Sequence, residues 1–218
     1  MSTYILIHGS WLGGWSWDDI SSRLQEAGHS VEAPTLAGDG TLTDHIGEVV
    51  EIIDAHIGED VILVGHSYAG MVITGASHAR PDAVSEAIYL DAFMPEEGQC
   101  AFDVIPVVRP LFEAGATESG DGNVPPFDMA IFGLEASVGD PIAALLRPWP
   151  IVTHTETSTG LPAAVRGSFL LCAESQFFVE LAAQLETRGW KVVRPVVGHM
   201  APVTEPEIIF DSLMELRS

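Results

Sequence analysis

The stretch Val61-Ile62-Leu63-Val64-Gly65-His66-Ser67-Tyr68-Ala69-Gly70 decides the fold of this 218-residue chain. A continuous apolar run comes first, then a corner bounded by glycines, and small residues typical of a closely packed helix follow. This order predicts a buried strand, a tight turn and a helix, with Ser67 on the turn. A serine there stands clear of the sheet, beside backbone N–H groups at the start of a helix. Ala69 replaces the second glycine of the strict G-x-S-x-G pattern and is small enough to preserve the close packing.

Six short apolar runs predict the strands of one sheet. Each run is continuous and not alternating, as expected for strands covered on both faces. Segments with helical periodicity lie between them, and the pattern Thr41-x-x-Asp44 is a capping signal for one helix. The alternation predicts a doubly wound α/β fold, with a mostly parallel six-stranded sheet and helices on both faces. The six runs are Tyr4–Ile7, Ser30–Ala33, Val61–Val64, Ala87–Leu90, Ser168–Cys172 and Lys191–Val196.

The alternation of strands and helices stops between residues 93 and 165. This segment holds 9 of the 14 prolines and no strand-like run. Because a structureless loop of this length would be unusual, we predict a small proline-rich cap over the carboxyl edge of the sheet. One helix is predicted inside it, with Asp140 as N-cap and Pro141 in the first turn. Residues 1–92 and 166–218 would form the core of the same single domain.

Composition narrows the class of protein and of partner. The chain has 31 acidic and 9 basic residues, a net charge of -22, and is 47% hydrophobic. Such an acidic globular protein repels phosphate backbones and anionic lipids, so neither nucleic acid nor a membrane is expected as a partner. No apolar run is long enough to span a bilayer, and no charged leader precedes the first strand, which predicts a cytoplasmic protein. The two cysteines suggest neither disulfides nor a metal site, no cofactor is expected, and a homodimer is left open.

Ser67 needs a base within hydrogen-bond reach, and His199 is the best candidate among the eight histidines. It follows the last predicted strand, so it lies at the same carboxyl edge as Ser67. In sheets of this type the chain order is serine, acid, histidine, and the acid ends a strand between the other two. Glu174 and Asp91 both meet this condition. We prefer Glu174, because its strand neighbours the one that leads to His199 if sheet order follows chain order.

The remaining parts of the site are predicted from the loops. One oxyanion donor should be the N–H of Tyr68, and the other should come from the loop at residues 8–11. Ligand pockets are usually lined by aromatic and apolar side chains. We therefore expect Trp11, Phe93, Trp149 and Met200 to contact the substrate.

Four blocks of the sequence carry a family resemblance. They are Ile7-His8-Gly9-Ser10-Trp11-Leu12-Gly13-Gly14-Trp15-Ser16-Trp17, Val64-Gly65-His66-Ser67-Tyr68-Ala69-Gly70-Met71, Asp91-Ala92-Phe93-Met94-Pro95 and Gly198-His199-Met200. Together they resemble the α/β-hydrolase fold superfamily, most closely its branch of plant methyl esterases and hydroxynitrile lyases with their small bacterial relatives. The resemblance implies Ser67 as nucleophile, His199 as base, and the N–H groups of Ser10 and Tyr68 as the oxyanion hole.

Two positions separate the esterases from the lyases of this branch. Similar lyases carry a lysine after the catalytic histidine and a threonine in the first loop, where this chain has Met200 and Ser10. Since a lyase needs a cationic partner for the departing cyanide, the resemblance favours an esterase. Family members also place an aspartate after the strand that corresponds to Ser168–Cys172, and this chain has Ser175 there.

The sequence therefore predicts a serine hydrolase that cleaves a small carboxylic ester or lactone through an acyl-enzyme. Two alternatives stay open. One is a lyase or cyclase on the same fold that uses His199 as acid and base, which the missing aspartate motivates. The other is a protein that binds a small molecule in a decayed site.

Overall fold

The computed structural model describes residues 1–217. The strands are β1 Thr3–Ile7, β2 Ser30–Glu32, β3 Val61–His66, β4 Val84–Leu90, β5 Asn123–Val124, β6 Trp149–Pro150, β7 Arg166–Leu170 and β8 Lys191–Val193. The α-helices are α1 Asp18–Glu26, α2 Leu42–Ala55, α3 Ala69–Ala79, α4 Ala101–Val104, α5 Arg109–Ser119, α6 Ala136–Ala143, α7 Val152–Thr155, α8 Val179–Thr187, α9 Ala201–Thr204 and α10 Pro206–Arg217. Short 3-10 helices cover Gly14–Trp17, Pro106–Val108 and Met129–Phe132.

Six strands form one parallel sheet in the order β2-β1-β3-β4-β7-β8. The prediction of a six-stranded parallel sheet is confirmed. From β1 the chain crosses to β2 on one side, and it then returns to β3 on the other side of β1. The loop after β1 and the corner after β3 therefore open side by side, at the place where ligands bind in open α/β sheets.

Alternate side chains of the strands pack into two hydrophobic cores, one on each face of the sheet. Ile5 and Ile7 of β1 pack with side chains of α2, α3 and α8, whereas Tyr4 and Leu6 pack with those of α1 and α10. Both faces are thus covered by helices, which explains why the strands are continuous apolar runs. The capping box predicted at Thr41 is also present, since its side chain accepts from the Asp44 N–H and the Asp44 carboxylate accepts in return.

The segment between β4 and β7 has more regular structure than predicted. It forms α4 to α7 and a two-stranded antiparallel ribbon of β5 and β6, although the sequence indicated no strand there. The predicted helix start at Asp140 is wrong, because α6 begins at Ala136 and Pro141 lies inside it. Gly139, near the start of this helix, packs closely on the preceding segment, since a Cβ atom there would be 2.7 Å from the Met129 Cβ. No helix within residues 1–217 is long and apolar enough to cross a membrane.

A fully buried carboxylate anchors the amino-terminal half of the sheet. Glu86 of β4 accepts hydrogen bonds from Ser168 Oγ at 2.6 Å and from Arg217 Nη1 at 2.8 Å, and it is also paired with Arg166. These bonds join β4 to β7 and to the end of α10. A buried charge is tolerated because every partner is present, so removing one partner leaves the others uncompensated.

We expect Glu86→Ala to lower the free energy of unfolding by about 3–5 kcal/mol, because it leaves Arg217 and Ser168 without their shared acceptor. Urea denaturation measures this change. Asp54→Ala is the matched control, since it breaks the exposed pair of Asp54 with Arg80 and should cost about 1 kcal/mol or less. Equal losses in the two variants would contradict the anchoring role of Glu86.

Candidate active site

Three non-glycine residues of the described chain have a left-handed backbone, and all lie at the carboxyl edge of the sheet. Trp11 has φ of 65°, Ser67 of 54° and Asp91 of 43°. They follow β1, β3 and β4, three neighbouring strands. A non-glycine residue in this region costs about 1–2 kcal/mol, and such residues cluster at functional sites. The strain therefore marks one edge of the sheet as the candidate site.

Glycines make room for the corner that carries Ser67. A Cβ atom on Gly65 would lie 2.8 Å from the Ala69 carbonyl oxygen, and one on Gly70 only 1.8 Å from the Phe93 carbonyl oxygen. Gly9 of the first loop packs directly on the serine, because a Cβ atom there would lie 2.9 Å from the Ser67 Cβ. Close backbone packing at these three glycines therefore surrounds the corner, while Ser67 itself is only half-buried.

His199 is oriented by a buried aspartate. Its Nδ1–H donates to Asp91 Oδ2 at 2.6 Å, and Asp91 is fully buried. The other carboxylate oxygen, Oδ1, accepts the backbone N–H of Cys172 at 3.3 Å. Because Nδ1 is used by Asp91, the ring nitrogen Nε2 of His199 is left as the acceptor in the neutral imidazole. This is the tautomer that a general base requires.

Neighbouring rings hold the imidazole of His199 in place. Phe132 stacks on it at 5.4 Å between centroids and 19° between planes, and Phe178 lies at 6.2 Å and 24°. His66 lies at 4.7 Å, and its Nε2–H donates to the His199 carbonyl oxygen at 2.9 Å. Side chain and backbone of His199 are therefore both fixed.

The geometry favours Asp91 over Glu174 as the partner of His199, contrary to the sequence preference. Glu174 is exposed, and its backbone N–H donates to the Val197 carbonyl oxygen. The adjacent Ser175 is buried and accepts the Phe177 N–H at 3.4 Å. The partner lies after β4, one strand nearer to Ser67 than the strand that carries Glu174.

Two cavities meet at Ser67. The larger, of about 530 Å³, is lined by Trp11, Phe93 and other mainly aromatic and aliphatic side chains, together with Ser10, Ser67, His154 and His199. The smaller, of about 280 Å³, lies on the side of Met200. Ser10, Trp11, Ser67, Phe132 and His199 line both. Ligand sites typically combine such an apolar wall with a few convergent polar groups.

Trp149 does not lie where the sequence placed it. It is buried but lines neither of these two cavities. Its ring packs behind the site against His45 at 5.2 Å and Tyr68 at 5.7 Å. Tyr68 is in turn held by its hydroxyl, which donates to His45 Nδ1 at 2.8 Å, because His45 Nε2–H is used by the Ala37 carbonyl oxygen. Trp149 thus supports the corner from the rear and does not contact the cavity.

The predicted oxyanion donors are free to bind a ligand. Among the hydrogen bonds of residues 1–217, none uses the backbone N–H of Ser10 or Tyr68. Tyr68 is the N-cap of α3, so its N–H stands at the positive end of that helix. Backbone N–H groups without a partner are the kind of donor that an oxyanion hole requires.

Three buried histidines around the site are neutral. Burial lowers the pKa of His8 to about 4 and that of His154 to about 3. The pKa of His66 is lowered well below its usual range, first by burial and then by the nearby His199. His154 was missed as a pocket residue, because one histidine in an irregular segment carries no sequence signal for the cavity that it lines.

Known proteins are similar to this chain in sequence and in fold. The sequence profile described as the alpha/beta hydrolase family matches residues 4–211. The chain is 31% identical over 243 aligned residues to the carbendazim hydrolyzing esterase of Nocardioides sp. (strain SG-4G), covering 99% of this chain and all of the relative. It is 38% identical over 104 residues to salicylic acid-binding protein 2 of Nicotiana tabacum, but this match covers only 43% of this chain and 40% of the tobacco protein.

A solved structure extends the likeness to three dimensions. It is an extracellular alpha/beta-hydrolase from a Paenibacillus species, described as sharing structural and functional homology with the tobacco protein. The TM-score is 0.86 at 26% identity, and 99% of each chain is covered. The whole architecture of the present chain is therefore shared with that protein, including the segment between β4 and β7.

We expect Asp91→Asn to lower kcat for ester cleavage by about 10³–10⁴-fold, because the amide no longer holds His199 in the required tautomer. Glu174→Gln is the control and should change kcat less than about two-fold, since its side chain faces solvent. Turnover of p-nitrophenyl acetate measures both. A large loss in Glu174→Gln with none in Asp91→Asn would restore the original preference.

The buried histidines predict a loss of stability in weak acid. Their pKa values in the folded protein lie below the ordinary 6.5, so below that pH the unfolded chain binds protons that the folded chain does not. The free energy of unfolding should then fall with pH by up to about 1.4 kcal/mol per unit for each of them.

Urea denaturation at several values between pH 7.5 and 5.5 tests this loss. His154→Phe should reduce the slope of the free energy of unfolding against pH by about one third, because one of three contributions is removed. His78→Gln, at an exposed position, is the control. A slope that His154→Phe leaves unchanged would contradict the assignment.

Proposed function

The chain belongs to the alpha/beta hydrolase family and is an ester hydrolase of that fold; we propose that it cleaves its ester through an acyl-enzyme on Ser67. The observation that carries this proposal is the contact of Asp91 with His199, beside a strained serine in the same cavity. The sequence prediction of the family and of its methyl esterase branch is confirmed by the matches to esterases and to the tobacco protein.

The proposed cycle has two halves, acylation and deacylation of Ser67, and His199 transfers a proton in each. Nε2 of His199 accepts the proton of the Ser67 hydroxyl while Oγ attacks the ester carbonyl carbon. The imidazolium so formed is stabilised by the buried carboxylate of Asp91, to which Nδ1–H stays bonded. The tetrahedral intermediate then expels the alcohol, which takes the proton from Nε2. In the second half His199 activates a water molecule, which attacks the acyl-enzyme and releases the acid and free Ser67.

The negative oxygen of each tetrahedral intermediate would bind the N–H groups of Ser10 and Tyr68. Support comes from their freedom from other hydrogen bonds and from the position of Tyr68 at the start of α3. Removal of one such donor costs an acyl-transfer enzyme about 10²–10³ in kcat. The corner after β3 would thus supply the nucleophile, and it would share the stabilisation of the negative charge with the loop after β1.

The two cavities suggest how an ester is oriented. We assign the acyl part to the larger cavity, whose wall includes Phe93, Phe112 and Phe127, and the alcohol part to the smaller one, closed by Met129 and Met200. The larger cavity has the more aromatic wall and the smaller one is lined by fewer rings, which suits an aromatic acyl group in the first and a small alcohol in the second. The proposed substrate class is therefore a small ester or lactone with an apolar acyl group, and the acyl-enzyme mechanism itself requires no cofactor.

The contact of Asp91 with His199 weakens the case for the alternatives. The lyase or cyclase alternative was motivated by the missing aspartate, and a decayed binding site would also lack a complete triad. A carboxylate at 2.6 Å from Nδ1 of His199 fills that gap. A cytoplasmic location and a homodimer stay predictions.

Ser67→Ala should abolish covalent labelling by a fluorophosphonate and lower turnover of p-nitrophenyl acetate by about 10³-fold or more, because no other nucleophile stands at the corner. Ser22→Ala, at an exposed serine of α1, is the control and should behave like the native protein. Labelling that persists in Ser67→Ala, or that never occurs in the native protein, would overturn the proposal.

The orientation is tested with two isomeric esters, methyl phenylacetate and benzyl acetate. They contain the same atoms with the acyl and alcohol groups exchanged. The assignment of the cavities predicts the higher kcat/KM for methyl phenylacetate. A higher kcat/KM for benzyl acetate would reverse the assignment and leave the mechanism intact.

A further inference from the structure

Two polar side chains of the larger cavity have no part in the proposed mechanism. Ser67 and His199 react, but the hydroxyl of Ser10 and the ring of His154 also line this otherwise apolar space. They contact each other, with Ser10 Oγ 3.3 Å from His154 Nε2. Both residues are buried, at 6% and 1% exposure. A polar pair in an apolar pocket is where ligand specificity is usually set.

One assignment of protons makes every hydrogen bond of this pair and of its neighbour Thr153. Thr153 Oγ1 donates its single proton to the Pro150 carbonyl oxygen at 2.7 Å. Toward His154 Nδ1, at 2.9 Å, the same oxygen can therefore only accept, so Nδ1 carries the hydrogen. In the neutral ring Nε2 is then an acceptor, and the proton between Ser10 and His154 belongs to the Ser10 hydroxyl.

Burial and packing keep His154 in this state. Its pKa is lowered to about 3 by burial, so the ring stays neutral at ordinary pH. The ring is wedged between Tyr68 at 5.1 Å and Phe112 at 4.4 Å. Neither rotation nor protonation of the ring is favoured, and the Ser10 hydroxyl keeps its proton directed at Nε2.

We infer that Ser10 Oγ presents only lone pairs to the cavity and selects esters that carry a hydrogen-bond donor next to the scissile carbonyl. Three bonds separate Oγ from the backbone nitrogen of the same serine. When the carbonyl oxygen of the ester is held at that N–H, a group that reaches Oγ must be attached close to the carbonyl carbon. The substrate class is thus a hydroxy ester with its hydroxyl on the α-carbon. The inference rests on the proposed acyl-enzyme mechanism for the placement of the carbonyl.

Matched esters test the selection through ratios measured within one protein. The probes are methyl mandelate, in both enantiomers, methyl α-methoxyphenylacetate and methyl phenylacetate. For the native protein we expect kcat/KM for the better mandelate enantiomer to exceed that for each comparison ester by about ten-fold, the value of one hydrogen bond. In Ser10→Ala both ratios should fall to about one, whatever the basal rate. Val108→Ala, which removes apolar volume from the same cavity, is the control and should keep the native ratios.

A second variant tests the orientation of the hydroxyl and not only its presence. His154→Phe removes the acceptor, so the Ser10 hydroxyl can rotate and donate to the ether oxygen of the methoxy ester. The ratio of mandelate to methoxy ester should then fall, whereas the ratio of mandelate to phenylacetate should fall less. If the kcat/KM ratios of mandelate to the two comparison esters were the same in Ser10→Ala as in the native protein, the inference would be overturned.

Binding separates this inference from the mechanism. Calorimetry on Ser67→Ala compares the Kd of intact methyl mandelate with that of methyl phenylacetate, and we expect about ten-fold tighter binding of the mandelate. Discrimination in binding without turnover by the native protein would contradict the acyl-enzyme and keep the selection. Turnover of all three esters without discrimination would keep the acyl-enzyme and overturn the selection.

Discussion

The close approach of α3 to the chain that follows β4 is the constraint on which the site depends. The backbone of Gly70 leaves no room for a Cβ atom beside the Phe93 carbonyl oxygen. This contact brings the start of the helix over the next strand, and the Phe93 N–H bonds the Ser67 carbonyl oxygen at 3.1 Å. Ser67 and Asp91, which both have a left-handed backbone, lie next to this contact along the chain. A larger side chain at position 70 would displace both.

The sheet and the positions of Ser67 and His199 at one edge of it could be predicted because their signals are local. Buried strands are continuous apolar runs, and residues that follow the carboxyl ends of parallel strands meet at the same edge of the sheet. The choice between Asp91 and Glu174 as the partner of His199 could not be made from such a local signal. Asp91 and Glu174 both end strands, but the backbone of Asp91, at φ of 43°, turns its carboxylate inward, whereas Glu174 faces solvent. Such a turn depends on tertiary contacts that no sequence pattern records.

The segment over the sheet was the least predictable part. Its aromatic residues look alike in sequence, yet Phe132 stacks on His199 while Trp149 packs behind Tyr68. The difference depends on how the short helices lie against one another, which is set by contacts such as that of Gly139 with Met129. His154 lies beside Ser10 with its ring packed between Tyr68 and Phe112, although 144 residues separate Ser10 and His154 along the chain.

The corner and the loop that carries the acid form one mechanical unit. The Ser67 N–H donates to the Leu90 carbonyl oxygen at 3.2 Å, and the Ser67 carbonyl oxygen accepts the Phe93 N–H. The backbone of the serine is therefore hydrogen-bonded to the chain before and after Asp91. The Asp91 N–H is in turn bonded to Leu170 of β7 at 2.8 Å. The distance between Ser67 and Asp91 is therefore set by backbone hydrogen bonds at the edge of the sheet. None of these bonds involves the helices that lie between β4 and β7, so the repacking of those helices for another ligand would leave this distance unchanged.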